Sequence, residues 1–333
     1  MTSISLCMIA KDEENYFEQC LTSIKNIVDE IIIIDTGSKD KTKEIAKKFN
    51  AKIFDFAWAD DFSAARNESL KHATKDWVLV LDADEVLEEK DCEKIKEMIK
   101  NAGNGTAGFS FQQRSYIKDY FDGAMGNKTD FEPVKKYPFY VLNNLVRVFR
   151  NNKGIHFRHR VHELVEESIK EKGMKYEKTD VVLHHFGSVK DAAFVERKAD
   201  MYSKIIIRQV EENPENARYN YQTARMFMGK KDFANAIAYF EKTVEIDAAY
   251  KLPYSEIAKI YLRMNDKDRA IEYFKKSMKS NPDKPSPANN LAVMYMSMGK
   301  FKRAKEILEE ELKKHPDNPA LKRNYEDCEK NIG

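Results

Sequence analysis

Three alanines, Ala224, Ala258 and Ala292, stand 34 residues apart, and a second set, Ala236, Ala270 and Ala304, keeps the same step. Phe240, Phe274 and Leu308 repeat at that spacing, as do Phe227, Tyr261 and Tyr295. Pro282 and Pro316 close successive units, and Pro214 lies two steps before Pro282. Each unit of such a repeat is one supersecondary element that buries its apolar face only by stacking on its neighbours. Small residues at fixed positions let two helices approach closely, and the aromatic fills the gap one turn away. The spacing predicts three helical pairs over Ala217–Asn318 and a capping helix over Pro319–Asn331.

These positions resemble the tetratricopeptide repeat over roughly the last third of the chain. The resemblance implies an all-α solenoid with an extended concave surface of the kind that binds peptides. The helical stretch Lys190–Glu212, which stops before Pro214, is expected to pack as a half-repeat joining this array to what precedes it. The overall charge of +2 divides into +6 over Asn216–Gly333 and −4 before it. A basic rear domain suits an acidic partner or a membrane surface. A solvated helical surface is the plainer reading and the preferred one.

The first half has a different rhythm. Short β-rich runs, Ile4–Ile9, Glu30–Asp35, Ala51–Phe54, Trp77–Asp82 and Gly108–Gln112, alternate with helical spacing in Glu13–Ile27, Lys41–Phe49 and Ser63–Ala73. Alternation of this kind predicts an α/β domain, a mostly parallel sheet with helices on both faces. Ligands of such sheets bind at the carboxyl ends of the strands, so the residues there carry the chemistry.

The strongest signal at a strand end is LDADE, Leu81–Glu85, after the apolar run WVLV. The strand delivers Asp82 and Asp84 to its exposed end on one side, two residues apart. Paired carboxylates there suit a hard divalent cation that takes its other oxygens from water and a diphosphate. An acidic cap on the helix beginning near Glu89 is the plainer alternative. LCMIAKDEE is a first strand ending in a polar loop, and EIIIIDTGSKDKT is a second strand ending in Asp35. WADDFSAARNESL places Arg66 and Asn67 on a helix within reach of a ribose or phosphate.

In this order and spacing the first ~110 residues resemble the family 2 glycosyltransferases of the GT-A fold. The resemblance implies that Ala10, Asp12, Asp35, Arg66, Asn67, Asp82 and Ala83 contact the nucleotide. It implies that Asp84 and Asp82 form the metal motif, with Mn²⁺ or Mg²⁺ as the cofactor. Many relatives end the second strand in two acids where this chain has Asp35-Thr36, which opens the identity of the base; uridine is the default.

Two later segments extend the resemblance. In RVFRNNKGIHFRHRVHELV, after an expected hairpin through Asn151–Gly154, Glu163 matches the region that supplies the general base of an inverting displacement. The alternative is an ordinary first-turn residue of a helix. In VVLHHFG, His185, next to Phe186-Gly187, fits the histidine that completes the metal or diphosphate site better than His184. His156, His159 and His162 do not suggest zinc, because a spacing of three alternates faces along an extended strand. The aromatic segment Arg114–Asn143, with Tyr116, Tyr120, Phe121, Phe131, Tyr137, Phe139 and Tyr140, reads either as a loop closing over substrates or as packing.

At 333 residues the chain is expected to hold two domains, the α/β domain 1–188 and the repeats 216–333, joined by the linking helix 189–215. No stretch approaches the ~20 apolar residues of a membrane span. The start of the sequence lacks the pattern of a signal peptide. Cys7, Cys20, Cys92 and Cys328 show no paired spacing and read as reduced structural residues of a cytoplasmic protein. The expectation is a metal-dependent inverting transferase using a nucleoside-diphosphate sugar, by default a UDP-sugar. Its acceptor is a peptide or protein, or alternatively lipopolysaccharide or another glycan; nucleic acid is not expected as a partner. Two rivals are a catalytically inactive repeat scaffold and a nucleotidyltransferase. The acidic AKDEEN after the first strand disfavours the latter, which needs a Gly-rich basic loop there.

Overall fold

The computed structural model describes residues 2–120, 123–190 and 192–332. The front half runs β1 (Ile4–Ala10), α1 (Phe17–Ile24), β2 (Glu30–Asp35), α2 (Thr42–Lys48), β3 (Lys52–Asp55), α3 (Phe62–His72), β4 (Trp77–Val80) and β5 (Glu85–Leu87). It continues with α4 (Glu89–Asn101), β6 (Thr106–Ile117), β7 (Met125–Gly126), α5 (Glu132–Lys135), β8 (Phe139–Arg150), α6 (Glu166–Glu171) and β9 (Lys175–His185). A 3₁₀ turn, Gly187–Val189, then leads to the long helix α7 (Ala192–Glu212).

Apolar residues on both faces of β1, β2 and β4 make these central strands. Leu6, Met8, Ile31, Ile33 and Leu79 face a layer containing Phe17, Leu21, Ile24 and Ile95 of α1 and α4. Their neighbours Cys7, Ile32, Val78 and Val80 face the opposite layer, with Phe149, Phe157 and Ile169. That is the period of two of a strand buried on both sides.

The sheet follows the order β3-β2-β1-β4-β8-β6-β9-β5, with β7 added on β8. β3, β2, β1 and β4 are parallel, but β8 is antiparallel to β4 and to β6. The sheet is therefore mixed rather than mostly parallel. β6 and β8 each run 12 residues and pair antiparallel, which needs no helical crossover between them.

Several element ends differ from the sequence reading. Helix α1 starts at Phe17 rather than near Glu13, because Lys11–Glu14 form a loop bound to the turn after β2. Asp12, at φ 54°, accepts from the Lys39 N–H, and its own N–H donates to Ser38 Oγ. The turn after β8 is present, with Asn152 at φ 57° and Gly154 at φ 68°, but no second hairpin strand follows. Residues 155–165 form a loop closed by the Arg158–Leu164 bridge, with His159 and His162 in the left-handed region. The strand argument about its three histidines thus does not apply. His159 pairs with Glu167 at 2.9 Å, and the His162 ring lies 6.0 Å from that of Tyr202.

The chain divides into two compact units, Met1–Ile205 and Ile206–Gly333, so the division runs through α7. The second unit contains α8 (Ala217–Gly229), α9 (Phe233–Ile246), α10 (Pro253–Arg263), α11 (Lys267–Ser280), α12 (Pro285–Ser297), α13 (Phe301–Lys314) and α14 (Pro319–Ile332). All six alanines of the repeat are fully buried or nearly so, as are Phe240, Phe274 and Leu308. Lys231, Asn265 and Gly299, again 34 apart, take φ of 60°, 59° and 70° in the turn between the helices of each pair. Among the described residues no helix is long and apolar enough to cross a membrane.

Candidate active site

The carboxyl ends of β1 and β4 open on a cavity of about 390 Å³, within the size range of small-molecule sites. Ala10, Asp12, Arg66, Asp82, Ala83, Asp84 and Glu163 line it. The structure therefore brings together seven of the ten residues singled out from the sequence.

Strand β4 stops at Val80, and the next four residues turn out of the sheet. The Glu85 N–H donates to the Asp82 carbonyl, and the Asp82 N–H to Glu85 Oε2 at 2.7 Å. The two aspartates end in different surroundings. Asp82, with its side chain 31% exposed, accepts from Arg66 Nη2 at 2.5 Å and Arg147 Nη2 at 3.3 Å. Burial alone would raise its carboxyl, but Arg66 and Arg147 outweigh it and hold Asp82 well below the usual range. Arg147 also donates to Glu85, a fully buried carboxyl that burial pushes up.

Asp84 is only 3% exposed, not the open strand-end carboxylate that the sequence suggested. Its Oδ1 lies 3.6 Å from His185 Nε2, and its Oδ2 lies 2.8 Å from Lys190 Nζ. Burial would raise Asp84 too, yet His185, Lys190 and Lys198 hold it low. Lys190 also donates to both oxygens of Glu13, at 2.8 and 2.6 Å. Burial and the charge of Asp84 push Glu13 up to about 7 against that lysine.

The histidines separate cleanly. β9 pairs with β5 so that His185 faces Glu85 and His184 faces Val86, and the Phe186 N–H donates to the Asp84 carbonyl. His185 thus meets the acidic turn. His184 is fully buried, bonded to Tyr116 Oη at 2.7 Å and Glu88 at 3.1 Å, and burial pushes it down to about 4.

Glu163 reaches the cavity from the 155–165 loop and accepts from Arg66 Nε at 2.6 Å. Arg66 therefore joins Asp82 to Glu163. Asn67 is not on the cavity wall. Its side chain clamps the same loop, donating to the Phe157 carbonyl at 2.9 Å and accepting from the Phe157 N–H at 2.7 Å. Asp35 also lies off the cavity. Its Oδ1 accepts from the N–H groups of Gly37 and Ser38, and Thr36 takes the place on the wall.

A third wall comes from α7, which the sequence presented only as a linker. Phe194, Arg197, Lys198, Met201 and Tyr202 line the cavity, with Trp58 and Phe62 beside them. Their spacing of three and four residues is a helical stripe. Its mixture of basic and aromatic side chains, rather than plain apolar ones, is the signal that marks a ligand wall.

The aromatic segment packs away from the cavity. Tyr116, Tyr140, Phe186, Val134 and Val189 form a buried cluster with Phe131 and Tyr137 against it. Tyr120 is exposed, and Phe121 lies outside the described residues.

Whether these side chains fit a divalent cation is decided at Asp84. Two atoms 3.6 Å apart can share a cation lying about 2.0–2.2 Å from each. Gly187 keeps that space open, since a Cβ there would sit 2.6 Å from His185 Nε2. Asp84 Oδ2, although near Lys190, has no hydrogen bond. Among the described residues no three His, Cys, Asp or Glu side chains gather as a metal cluster. The protein's share is thus a partial donor set, which suits a hard cation that keeps waters and phosphate oxygens.

A sheet of this order with an acidic pair beyond its fourth strand is the arrangement that the resemblance to glycosyltransferases of the GT-A fold implies. Residues 5–169 match the model of glycosyl transferase family 2, and residues 199–251 and 266–323 match tetratricopeptide repeat models. The first half of the chain is thus a family 2 glycosyl transferase domain, and tetratricopeptide repeats follow it. A TPR repeat-containing protein of Synechococcus elongatus is 39% identical over 169 residues, 51% of this chain and 37% of its own. The SPbeta prophage-derived glycosyltransferase SunS of Bacillus subtilis is 28% identical, over 48% of this chain and 34% of its own. An uncharacterized glycosyltransferase of Rickettsia typhi is 29% identical, over 51% of this chain and 53% of its own. The matches span about a third to a half of these relatives' lengths.

Proposed function

We propose that the chain is a metal-dependent inverting glycosyltransferase of the cytoplasm. It moves a sugar from a nucleoside-diphosphate sugar, by default a UDP-sugar, onto a side chain of a peptide or protein. The observation that supports this reading is the convergence of Asp82, Asp84, Glu163 and Arg66 on one cavity at the strand ends. Similarity to proteins named glycosyltransferases supports it independently.

In this reading Ala10, Asp12, Thr36 and Ala83 frame the nucleoside. Lys198, without an ion-pair partner among the described residues, faces the diphosphate with Arg197. Asp84 and His185 hold Mn²⁺ or Mg²⁺, which supplies positive charge where the leaving diphosphate gains negative charge. The acceptor oxygen forms its bond to the anomeric carbon as the bond to the diphosphate oxygen breaks, with inversion. Glu163 takes the acceptor's proton, and the bond pair leaves with the diphosphate. The repeats capture the polypeptide acceptor.

A thermal-shift panel of UDP-, GDP- and CMP-sugars with and without Mn²⁺ tests the donor class, since a ligand of the native state raises the melting point. One nucleotide sugar should do so, and only with metal, and turnover should release nucleoside diphosphate. Release of pyrophosphate, or no shift with any donor, overturns the proposal.

A further inference from the structure

Resting on the reading of Asp84 and His185 as the cation's protein ligands, we infer that Ser115 and Gly187 are positioning residues for His185. Ser115 stands next to His185 across the parallel β6–β9 pair, and its Oγ lies 2.9 Å from His185 Nδ1. The other ring nitrogen, Nε2, points at Asp84 Oδ1. A histidine binds a cation through an unprotonated nitrogen, and the partner of its other nitrogen decides which one that is. Here Nδ1 carries the hydrogen and donates it to Ser115 Oγ, leaving the Nε2 lone pair directed at Asp84.

Position 187 contributes by lacking a side chain. A Cβ there would meet His185 Nε2 at 2.6 Å and Cε1 at 2.7 Å, and Asp84 Oδ2 at 3.4 Å. It would push the ring out of its plane of contact and fill the gap beside the aspartate. Gly187 does not take a left-handed φ. The demand for glycine is therefore one of space around the imidazole, not of backbone conformation. The Phe186 N–H donates to the Asp84 carbonyl and fixes the two segments against each other.

Binding of Mn²⁺ alone to the full chain, followed by the electron paramagnetic resonance signal of the free ion, tests this without turnover. His185→Ala sets the scale. Ser115→Ala should weaken Mn²⁺ binding by about 10–100-fold, the usual cost of removing a hydrogen-bond partner from a ligating histidine. Ser115→Thr, which keeps the hydroxyl, should restore it. Gly187→Ala should weaken binding comparably. The double variant Ser115→Ala/His185→Ala should bind no worse than His185→Ala, because the serine acts only through the ring. Wild-type affinity in both Ser115→Ala and Gly187→Ala, with His185→Ala impaired, overturns the inference. So does full additivity in the double variant. Unimpaired binding in His185→Ala removes the metal-site reading itself, a distinguishable result. Should Ser115→Ala fail to fold, Gly187→Ala and the Thr variant still decide.

Discussion

Glu163 and Asp82 share Arg66, so one side chain ties the proposed base to the acidic turn. Glu163→Gln keeps the shape of the base and removes its capacity to accept a proton. Turnover on a hydroxyl acceptor should fall by about 10²–10⁴-fold while donor affinity changes little. Near wild-type turnover in steady-state assays would send the search to another carboxylate. A thiol acceptor would lessen the loss, since it ionises far more easily than an alcohol. Lys198→Met should weaken nucleoside diphosphate binding by about tenfold, the worth of one charge-assisted hydrogen bond, and leave binding of the free nucleoside unchanged. Equal effects on both ligands would place Lys198 away from the diphosphate. The residues of the site differ in how far the sequence reveals them. Asp82, Asp84 and Arg66 follow directly from strand ends and a helix start, because an apolar run fixes where its polar neighbours emerge. Lys190 and Lys198 do not, because their contacts with Asp84 and the cavity are made across the fold, and the stretch Lys190–Glu212 reads by periodicity as a helix joining the two domains. The burial of Asp84 is hidden for the same reason: His185 at the end of β9 and Lys190 after the turn that follows lie against that carboxylate.

At the scale of elements, the parallel strands are legible and the antiparallel ones only in part. Isoleucine-rich runs such as Ile31–Ile34 announce central strands, whereas β6 and β8 mix polar residues such as Gln113, Asn143 and Asn144 among apolar ones. Their length depends on pairing with each other, which local pattern does not carry. One buried carboxylate fastens the amino-terminal ends of the parallel strands. Glu30, at the start of β2, accepts from Ser5 of β1, from Thr74 just before β4 and from Lys52 of β3. Burial would raise it, but these hydrogen bonds outweigh burial and hold it at about 2, against an ordinary 4.5. A group whose folded pKa is depressed stabilises the fold above its unfolded pKa and loses that contribution as pH falls. Glu30→Gln should therefore lower the melting temperature at pH 7. The gap from wild type should close between about pH 4.5 and pH 2. A gap that persists unchanged down to the acid limit would show that the charge of Glu30 contributes nothing.

For the whole molecule, every residue lining the cavity lies at or before Tyr202, and the repeat helices begin at Ala217. The 34-residue period made the second unit legible almost helix by helix, because in a solenoid each element answers only to its neighbours. Truncation after Glu212 should leave donor hydrolysis to water largely intact and impair transfer to the natural polypeptide acceptor. Equal loss of both, in a truncate still folded by circular dichroism, would show that the repeats sustain the catalytic unit instead of capturing the acceptor. The claim on which the rest depends is that Asp84 binds the donor's diphosphate through a divalent cation. Calorimetric titration of UDP into the full chain, with Mn²⁺ and with a chelator, tests it most directly when Asp84→Asn is run beside wild type. Asparagine suits this buried site better than alanine, since it keeps the volume. Mn²⁺ should strengthen UDP binding to wild type, and that gain should vanish in a folded Asp84→Asn variant. Binding of UDP that ignores Mn²⁺ in wild type, or an undiminished gain in the variant, would contradict the account.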